Sequence, residues 1–212
     1  MTSQDATPAV LLLRHAWALE RGSWEGPDRQ RPLSERGRAQ AQALPGHLAA
    51  HGVVPVMLVA TPTERSARTL DPLARATGLG IHEDERFTDV RAPLLCDDRW
   101  GTAAWLAVRT MAGFDEVVQR VQILLGEVGS AGTGSGERGD DQPAVVVCSH
   151  GEVLPALLAA LGARDGWRLE QGPDLARKAM AKGSGWLLSP TSDEVVVIDP
   201  PATPALTERG GP

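Results

Sequence analysis

Short runs of consecutive apolar residues, rather than strict alternation, mark the strands predicted along this chain. Residues 10–13, 54–60 and 143–148 are such runs. A run of this kind is typical of a strand that is buried on both faces, as in the centre of a parallel sheet. Residues 185–189 and 194–198, joined by a turn of sequence Pro-Thr-Ser-Asp, are predicted to form a closing pair of strands.

Between the first two strands, apolar residues recur at helical spacing after a polar stretch. Residues 17–31 are rich in Gly and Arg and are predicted to form a loop at the mouth of a binding crevice. Ser34 then offers an N-cap for a helix that ends near Gly52. Pro45-Gly46 lies inside this helix, and we expect a kink or a break there because proline removes a backbone hydrogen bond.

A second helix is specified by the sequence Thr61-Pro62-Thr63-Glu64. Threonine followed three residues later by glutamate is a capping box, and proline is favoured at the first helical position. The pattern therefore predicts a helix with Thr61 as its N-cap, closed by Gly78.

The remaining chain is less regular. Apolar residues at helical spacing predict helices over residues 114–128 and 153–161. Residues 86–114 have no clear period and are predicted to form a lid beside the crevice. The Gly-rich residues 129–142 are predicted to be a flexible loop.

These elements form one predicted domain, over residues 10–200, with flexible termini at residues 1–9 and 201–212. Strands that alternate with helices predict an α/β fold with a mostly parallel sheet. A chain of 212 residues with 42% apolar residues is long enough to bury one hydrophobic core.

Composition narrows the classes of partner. The net charge is −6, and lysine occurs only at Lys178 and Lys182, so a nucleic-acid partner is not expected. The chain has no apolar run near the roughly 20 residues that span a bilayer, and it has no signal sequence, so we expect a cytoplasmic protein. Cys96 and Cys148 have no disulfide or metal-ligand spacing, and no metal or cofactor is predicted.

The polar residues at the ends of the predicted strands indicate the chemistry. Arg14 and His15 follow the first strand, His150 follows a later one, and Arg65 lies in the first turn of the second helix. Ligands bind at the carboxyl ends of strands in open α/β sheets, and guanidinium groups and helix N-termini bind phosphate. One imidazole could attack phosphorus while the other, protonated, neutralises the equatorial oxygens. Nearby arginines are expected to lower the pKa of the attacking histidine, and no metal is required.

Arg14-His15-Ala16 and Ser149-His150-Gly151, each after a strand, resemble the motifs of the histidine phosphatase superfamily. Two further segments carry the same resemblance: residues 61–65 with Thr69 after them, and the Arg-Pro-Leu-Ser-Glu-Arg-Gly run at residues 31–37. The resemblance implies a phosphoglycerate-mutase-like fold, with three α/β/α layers around the mostly parallel sheet. It also implies a covalent phosphohistidine.

The same resemblance assigns roles to four residues. His15 would be the nucleophile, His150 the charge-stabilising histidine, and Arg14 and Arg65 the phosphate clamps. Ala16 replaces the glycine that is commoner after the nucleophile, and its side chain restricts the backbone there. In this respect the chain is similar to small phosphohistidine phosphatases and to phosphatase domains partnered with nucleotide hydrolases.

The acid that protonates the leaving group is less clearly marked. The resemblance points to Asp89, in Phe87-Thr88-Asp89, as the general acid. Glu83, Asp84 and Glu85 are alternatives, and some small relatives do without this acid.

The sequence therefore predicts a metal-independent phosphoric monoester hydrolase that acts on a small phosphorylated substrate through His15, with a homodimer as one possible assembly. The alternatives are a protein phosphohistidine phosphatase and a non-catalytic protein that binds a phosphate ligand. The sequence does not specify the substrate.

Overall fold

The computed structural model describes residues 9–87, 141–151, 153–154, 181–188 and 195–202, and every structural statement concerns these residues. The lid predicted over residues 86–114 lies outside them beyond residue 87. The helix predicted over residues 114–128, most of the loop predicted over residues 129–142 and most of the helix predicted over residues 153–161 also lie outside them.

Six strands form one mixed sheet in the described part of the chain. They are β1 (Ala9–Arg14), β2 (Val53–Ala60), β3 (Ile81–Glu83), β4 (Gln142–Ser149), β5 (Gly185–Leu188) and β6 (Val195–Ile198), and they lie in the order β3-β2-β4-β1-β5-β6. The three pairings among β1 to β4 are parallel, and β5 pairs antiparallel with β1 and β6. The predicted α/β fold with a mostly parallel sheet is confirmed.

Two predicted boundaries are wrong by a residue. Ala9, predicted to lie in a flexible N-terminus, pairs with Ala144 as the first residue of β1. Gln142, predicted to lie in the flexible loop, begins β4, and its N–H donates to the carbonyl of Gly52 at 2.7 Å. Backbone pairing with neighbouring strands extends both strands beyond their apolar runs.

Helices α1 (Glu35–Ala50) and α2 (Glu64–Thr77) pack against the sheet. Alternate residues of the central strands meet the two helices in one core, which includes Leu11, Leu13, Leu44, Leu48, Leu58, Leu70, Leu73, Val146 and Cys148. The opposite face of β1 and β4 is buried as well, at Val10, Leu12, Val145 and Val147. The central strands are therefore buried on both faces, as their continuous apolar runs predict. No helix in this part of the chain is long and apolar enough to cross a membrane.

Helix α1 begins as predicted, since the Ser34 side chain accepts a hydrogen bond from the Gly37 N–H at 3.1 Å. The helix does not break at Pro45, because α1 continues to Ala50. Leu44 and Leu48 flank the proline and are both buried against the sheet. Tertiary packing of this face stabilises the helix across the proline.

Helix α2 begins later than predicted. Its N-cap is Thr63, and the capping box with Thr61 as N-cap is wrong. The Thr61 N–H instead donates to the Cys148 carbonyl at 3.1 Å, so Thr61 extends the pairing of β2 with β4. Gly78 closes the helix as predicted, in the left-handed conformation that glycine adopts without strain.

Candidate active site

The two histidines lie side by side because they follow neighbouring parallel strands. Arg14, the last residue of β1, stands opposite Ser149, the last residue of β4. The His15 N–H donates to the Ser149 carbonyl at 3.0 Å, which continues the pairing by one residue. The rings of His15 and His150 then meet edge to face with centroids 5.3 Å apart. Sheet register alone brings the two imidazoles together.

The backbone fixes which nitrogen of His15 is available for chemistry. His15 is 3% exposed, and its Nδ1 lies 2.7 Å from the carbonyl oxygen of Ala16. A carbonyl only accepts, so Nδ1 carries the proton. In the neutral ring Nε2 then has a lone pair, as a nucleophile requires.

The pKa of His15 lies well below its ordinary value. Burial is the largest cause, followed by the positive charges of Lys182 and His150, while the hydrogen bond to Ala16 opposes the shift. Arg65 lowers the pKa as expected, although its contribution is smaller than those of burial, Lys182 and His150. The direction is as expected, and it keeps His15 neutral at pH 7.

His150 is held by a hydroxyl of the strand-to-helix connection. Its Nε2 lies 3.2 Å from Thr61 Oγ1, and Thr61 donates its own proton to Ser66 Oγ at 2.7 Å. Thr61 must therefore accept at His150, which places a proton on Nε2. Thr63 also donates to Ser66, at 3.0 Å, so the His150 ring is supported by a buried hydroxyl cluster.

Arg14 reaches the same place across the β1–β4 pair. A Cβ on Gly151 would lie 2.7 Å from Arg14 Cζ, so the guanidinium rests directly on the Gly151 backbone. Only glycine leaves room for this contact next to His150. The structure thus brings Arg14, His15 and His150 into one cluster.

Arg65 enters from the first turn of α2 and is 7% exposed. Its Nη1 donates to the Asp28 carbonyl at 2.7 Å, and its Nη2 lies 3.2 Å from Asp28 Oδ2. Burial alone would raise the pKa of Asp28, but the hydrogen bond from Arg31 and the charges of Arg65, Arg31 and Arg21 lower it overall. Asp28 thus stays ionised and joins the loop predicted at the crevice mouth to Arg65.

Ala16 causes no backbone strain. None of the described non-glycine residues has a positive φ, so the methyl group at position 16 is accommodated in an ordinary conformation. The Ala16 N–H donates to Thr69 Oγ1 at 3.0 Å, and Thr69 donates in turn to the Arg65 carbonyl at 2.7 Å. Helix α2 therefore holds the residue after His15 directly.

The predicted general acid, Asp89, lies outside the described residues. The chain leading to it is nonetheless anchored at the site, since Ser149 Oγ donates to the Phe87 carbonyl at 2.7 Å. Among the alternatives, Glu83 and Glu85 are exposed and Asp84 is half-buried. The Asp84 N–H donates to the Ala60 carbonyl at 2.9 Å, which ties Asp84 to the end of β2.

Other nucleophile and metal chemistry finds little support in the described ranges. Cys148 is a free, buried thiol, and burial raises its pKa to about 12, so it stays protonated. No group of three or more His, Cys, Asp or Glu side chains in those ranges could hold a metal ion. What the site does offer is an imidazole nitrogen acceptor among cationic groups, which suits a phosphoryl group.

Two histidines and an arginine thus lie at the carboxyl ends of parallel strands, with a second arginine in the first turn of α2. Residues 10–178 match the sequence model of the histidine phosphatase superfamily, branch 1, and the chain belongs to this family. It is 31% identical over 195 residues to an 8-oxo-(d)GTP phosphatase of Mycolicibacterium smegmatis. That match covers 91% of this chain and 48% of the relative, so the chain spans about half the length of that protein.

Solved structures share the fold. A mycobacterial glucosyl-3-phosphoglycerate phosphatase is 24% identical with a TM-score of 0.56, over 92% of this chain and 99% of its own. A phosphohistidine phosphatase SixA described as putative, from Agrobacterium tumefaciens, is 19% identical with a TM-score of 0.51, over 91% of this chain and 96% of its own. The predicted phosphoglycerate-mutase-like fold is confirmed. The family match also supports the predicted enzyme class, a phosphoric monoester hydrolase.

Three further residues that contact or influence this site are not marked by any sequence motif. They are Lys182, whose charge lowers the pKa of His15, Asp28, which contacts Arg65, and Gln40, which accepts a hydrogen bond from the Trp17 N–H. The sequence signal for Lys182 is its position just before Gly183 and the predicted strand at residues 185–189. Nothing in the local sequence of Gln40 or Asp28 marks contacts that are made across the fold.

Proposed function

We propose that this chain is a metal-independent phosphatase that hydrolyses a phosphomonoester through a phosphohistidine on His15. One observation carries the proposal: the buried His15 ring, with its proton fixed on Nδ1 by the Ala16 carbonyl, lies 5.3 Å from the His150 ring. A neutral nucleophile beside a second, proton-bearing imidazole suits in-line phosphoryl transfer, because one ring can attack while the other stabilises charge.

The reaction has two balanced steps. His15 Nε2 attacks phosphorus and forms a P–N bond while the bond from phosphorus to the leaving oxygen breaks and that oxygen takes up a proton. Water then attacks the phosphohistidine, the P–N bond breaks, the water gives up a proton, and inorganic phosphate leaves. Arg14, Arg65 and His150 are proposed to bind the oxygens of the transferred phosphoryl group, because fixed cationic donors stabilise the charge that develops there.

Asp89 is proposed as the proton donor to the leaving group. Support comes from the Ser149 to Phe87 hydrogen bond, which anchors the chain beside His150 two residues before Asp89. An acid in this role assists poor leaving groups far more than good ones. Asp89→Asn should therefore slow alkyl phosphates more than p-nitrophenyl phosphate, and equal slowing of both would remove Asp89 from this role.

The substrate is proposed to be a small phosphorylated metabolite. The name of the M. smegmatis relative makes phosphates of oxidised guanine nucleosides the first compounds to assay. The likeness to SixA, at 19% identity, supports the fold and gives no preference for a phosphohistidine protein. The predicted cytoplasmic location, homodimer and single-domain organisation stay predictions.

Hydrolysis of p-nitrophenyl phosphate in the presence of EDTA tests the proposal. Wild type should stay active under chelation, and His15→Ala should lose essentially all activity because it lacks the nucleophile. His82→Ala is the matched control, since His82 lies exposed on β3.

Three results would contradict the proposal. Activity that chelation abolishes and zinc restores would assign the histidines to a metal site. An inactive wild type that binds vanadate would favour the non-catalytic alternative. Full activity of His15→Ala would exclude His15 as the nucleophile.

A further inference from the structure

The turn before β5 is fastened to the residue that precedes the nucleophile. The Arg14 N–H donates to the Ser184 carbonyl at 2.9 Å, and the Gly183 N–H donates to the Arg14 carbonyl at 3.2 Å. Ser184 closes the turn by two bonds to the Ala181 carbonyl, from its N–H at 3.1 Å and its hydroxyl at 2.7 Å. Lys182 lies within this turn, so its backbone is fixed relative to His15.

Gln40 locks the same turn from helix α1. Its side chain is buried, and its Nε2 donates to the Lys182 carbonyl. Its Oε1 accepts from the Trp17 N–H at 3.3 Å, so one amide joins the segments on both sides of His15. Gly183 has a φ of +80°, and an added Cβ there would lie 2.5 Å from Gln40 Cδ. The fit between Gln40 and the turn therefore depends on glycine.

Lys182 also acts on His15 electrostatically. Its positive charge is the largest contribution of any charged group to the lowered pKa of His15, ahead of those of His150 and Arg65. An ammonium group on a flexible stem is a strong donor to phosphate oxygens. The turn that carries Lys182 is hydrogen-bonded to the backbone of Arg14, the neighbour of His15, so the lysine side chain starts next to the nucleophile.

We propose that Lys182 is a further substrate-binding residue, whose ammonium group binds the phosphoryl group transferred to His15, and that Gln40 is the positioning residue for it. This inference rests on the proposed function, because it assumes attack by His15. It adds a cation from the β5 side of the sheet to the two arginines.

Lys182→Met is the direct test, assayed with p-nitrophenyl phosphate and with vanadate as inhibitor. Loss of a charge-assisted contact should lower kcat/KM roughly 10- to 100-fold, and it should weaken vanadate inhibition by a similar factor. Lys182→Arg should recover part of both. Lys182→Gln repeats the test if the methionine variant folds poorly. Arg75→Met, which removes a charge from the exposed last turn of α2, is the matched control.

The pH profile separates binding from a structural role. A positive charge near His15 disfavours its imidazolium form, so removing Lys182 raises the His15 pKa. The acid side of the kcat/KM profile should therefore move to higher pH in Lys182→Met and stay in place in Arg75→Met. Gln40→Met should move it in the same direction by less. In the double variant with Lys182→Met, Gln40→Met should add no further shift of the acid side of the profile, because Gln40 is proposed to act on the His15 pKa through the position of Lys182.

This inference would be overturned if Lys182→Met folds and matches Arg75→Met in kcat/KM, in vanadate inhibition and in the acid side of the pH profile. If His15→Ala is inactive in the same assay, the proposed function stands without Lys182. Activity retained in His15→Ala would instead remove the proposed function itself. The two failures are therefore distinguishable.

Discussion

Two regions border the same site but are held by different forces. One consists of the carboxyl ends of β1 and β4, and the other is the loop over residues 20–31. At the strand ends, His15 and His150 take their positions from sheet register and from backbone hydrogen bonds in a buried setting. In the loop, Asp28 contacts Arg21, Arg31 and Arg65 through ion pairs, and its side chain is 41% exposed.

The reacting histidines are therefore held by backbone pairing, and the loop around them is held by ion pairs. Backbone pairing is insensitive to salt and tolerates little displacement, whereas an ion pair with one partly exposed partner, such as Asp28 with the buried Arg65, is weakened by salt. We therefore expect substitutions at the strand ends to change the rate of chemistry, and substitutions in the loop to change mainly the binding of anions.

The largest effect is expected at Gly151. Gly151→Ala places a methyl group 2.7 Å from Arg14 Cζ and forces the guanidinium away from the site. Loss of one preorganised donor lowers kcat by about 100-fold or more. Steady-state kinetics with p-nitrophenyl phosphate checks this value.

Gly46→Ala is the matched control, because nothing lies within 4 Å of a Cβ at position 46. Glycine inside a helix costs about 0.5–1 kcal/mol relative to alanine, so this variant should be slightly more stable and fully active. Equal activity of the two variants would show that Arg14 is not needed where the structure places it.

A smaller effect is expected from the hydroxyl that holds His150. Thr61→Val keeps the shape of the buried side chain but removes the acceptor 3.2 Å from His150 Nε2. Loss of this bond should reduce kcat about tenfold. Thr77→Val, at the far end of α2, should leave kcat unchanged, and an equal loss in both variants would contradict a role for Thr61 at His150.

The smallest effect is expected in the loop. Asp28→Asn removes a negative charge beside Arg65 while keeping the backbone carbonyl that Arg65 contacts. Repulsion of an incoming anion falls, so inhibition by phosphate should strengthen about threefold at low salt, and the gain should shrink at high salt. Asp71→Asn, whose carboxylate contacts the exposed Arg68, should not change phosphate inhibition. Weaker inhibition in Asp28→Asn would mean that Asp28 positions Arg65 rather than competing with its ligand.

The sequence predicts well those structural features that depend on residues close together along the chain. The apolar runs before Arg14 and Ser149 predict buried strands, and parallel pairing then places His15 beside His150. Ser34 marks the start of α1 because its cap uses only its own neighbours.

Contacts across the fold were not predictable in the same way. Thr61 has the sequence of an N-cap, but pairing with Cys148 and contact with His150 decide its position. Pro45 has the sequence of a helix break, but burial of Leu44 and Leu48 keeps the helix intact. In each case a tertiary contact outweighs a local preference.

The central claim is that phosphate passes through His15, and trapping the phosphoenzyme tests it most directly. Wild type is mixed with a phosphate ester and quenched in alkali, in which phosphohistidine survives, and the digested peptides are analysed by mass spectrometry. The account predicts phosphate on the peptide that carries His15 and no phosphoenzyme in His15→Ala. Phosphate on another side chain, or equal phosphorylation of His15→Ala, would contradict it.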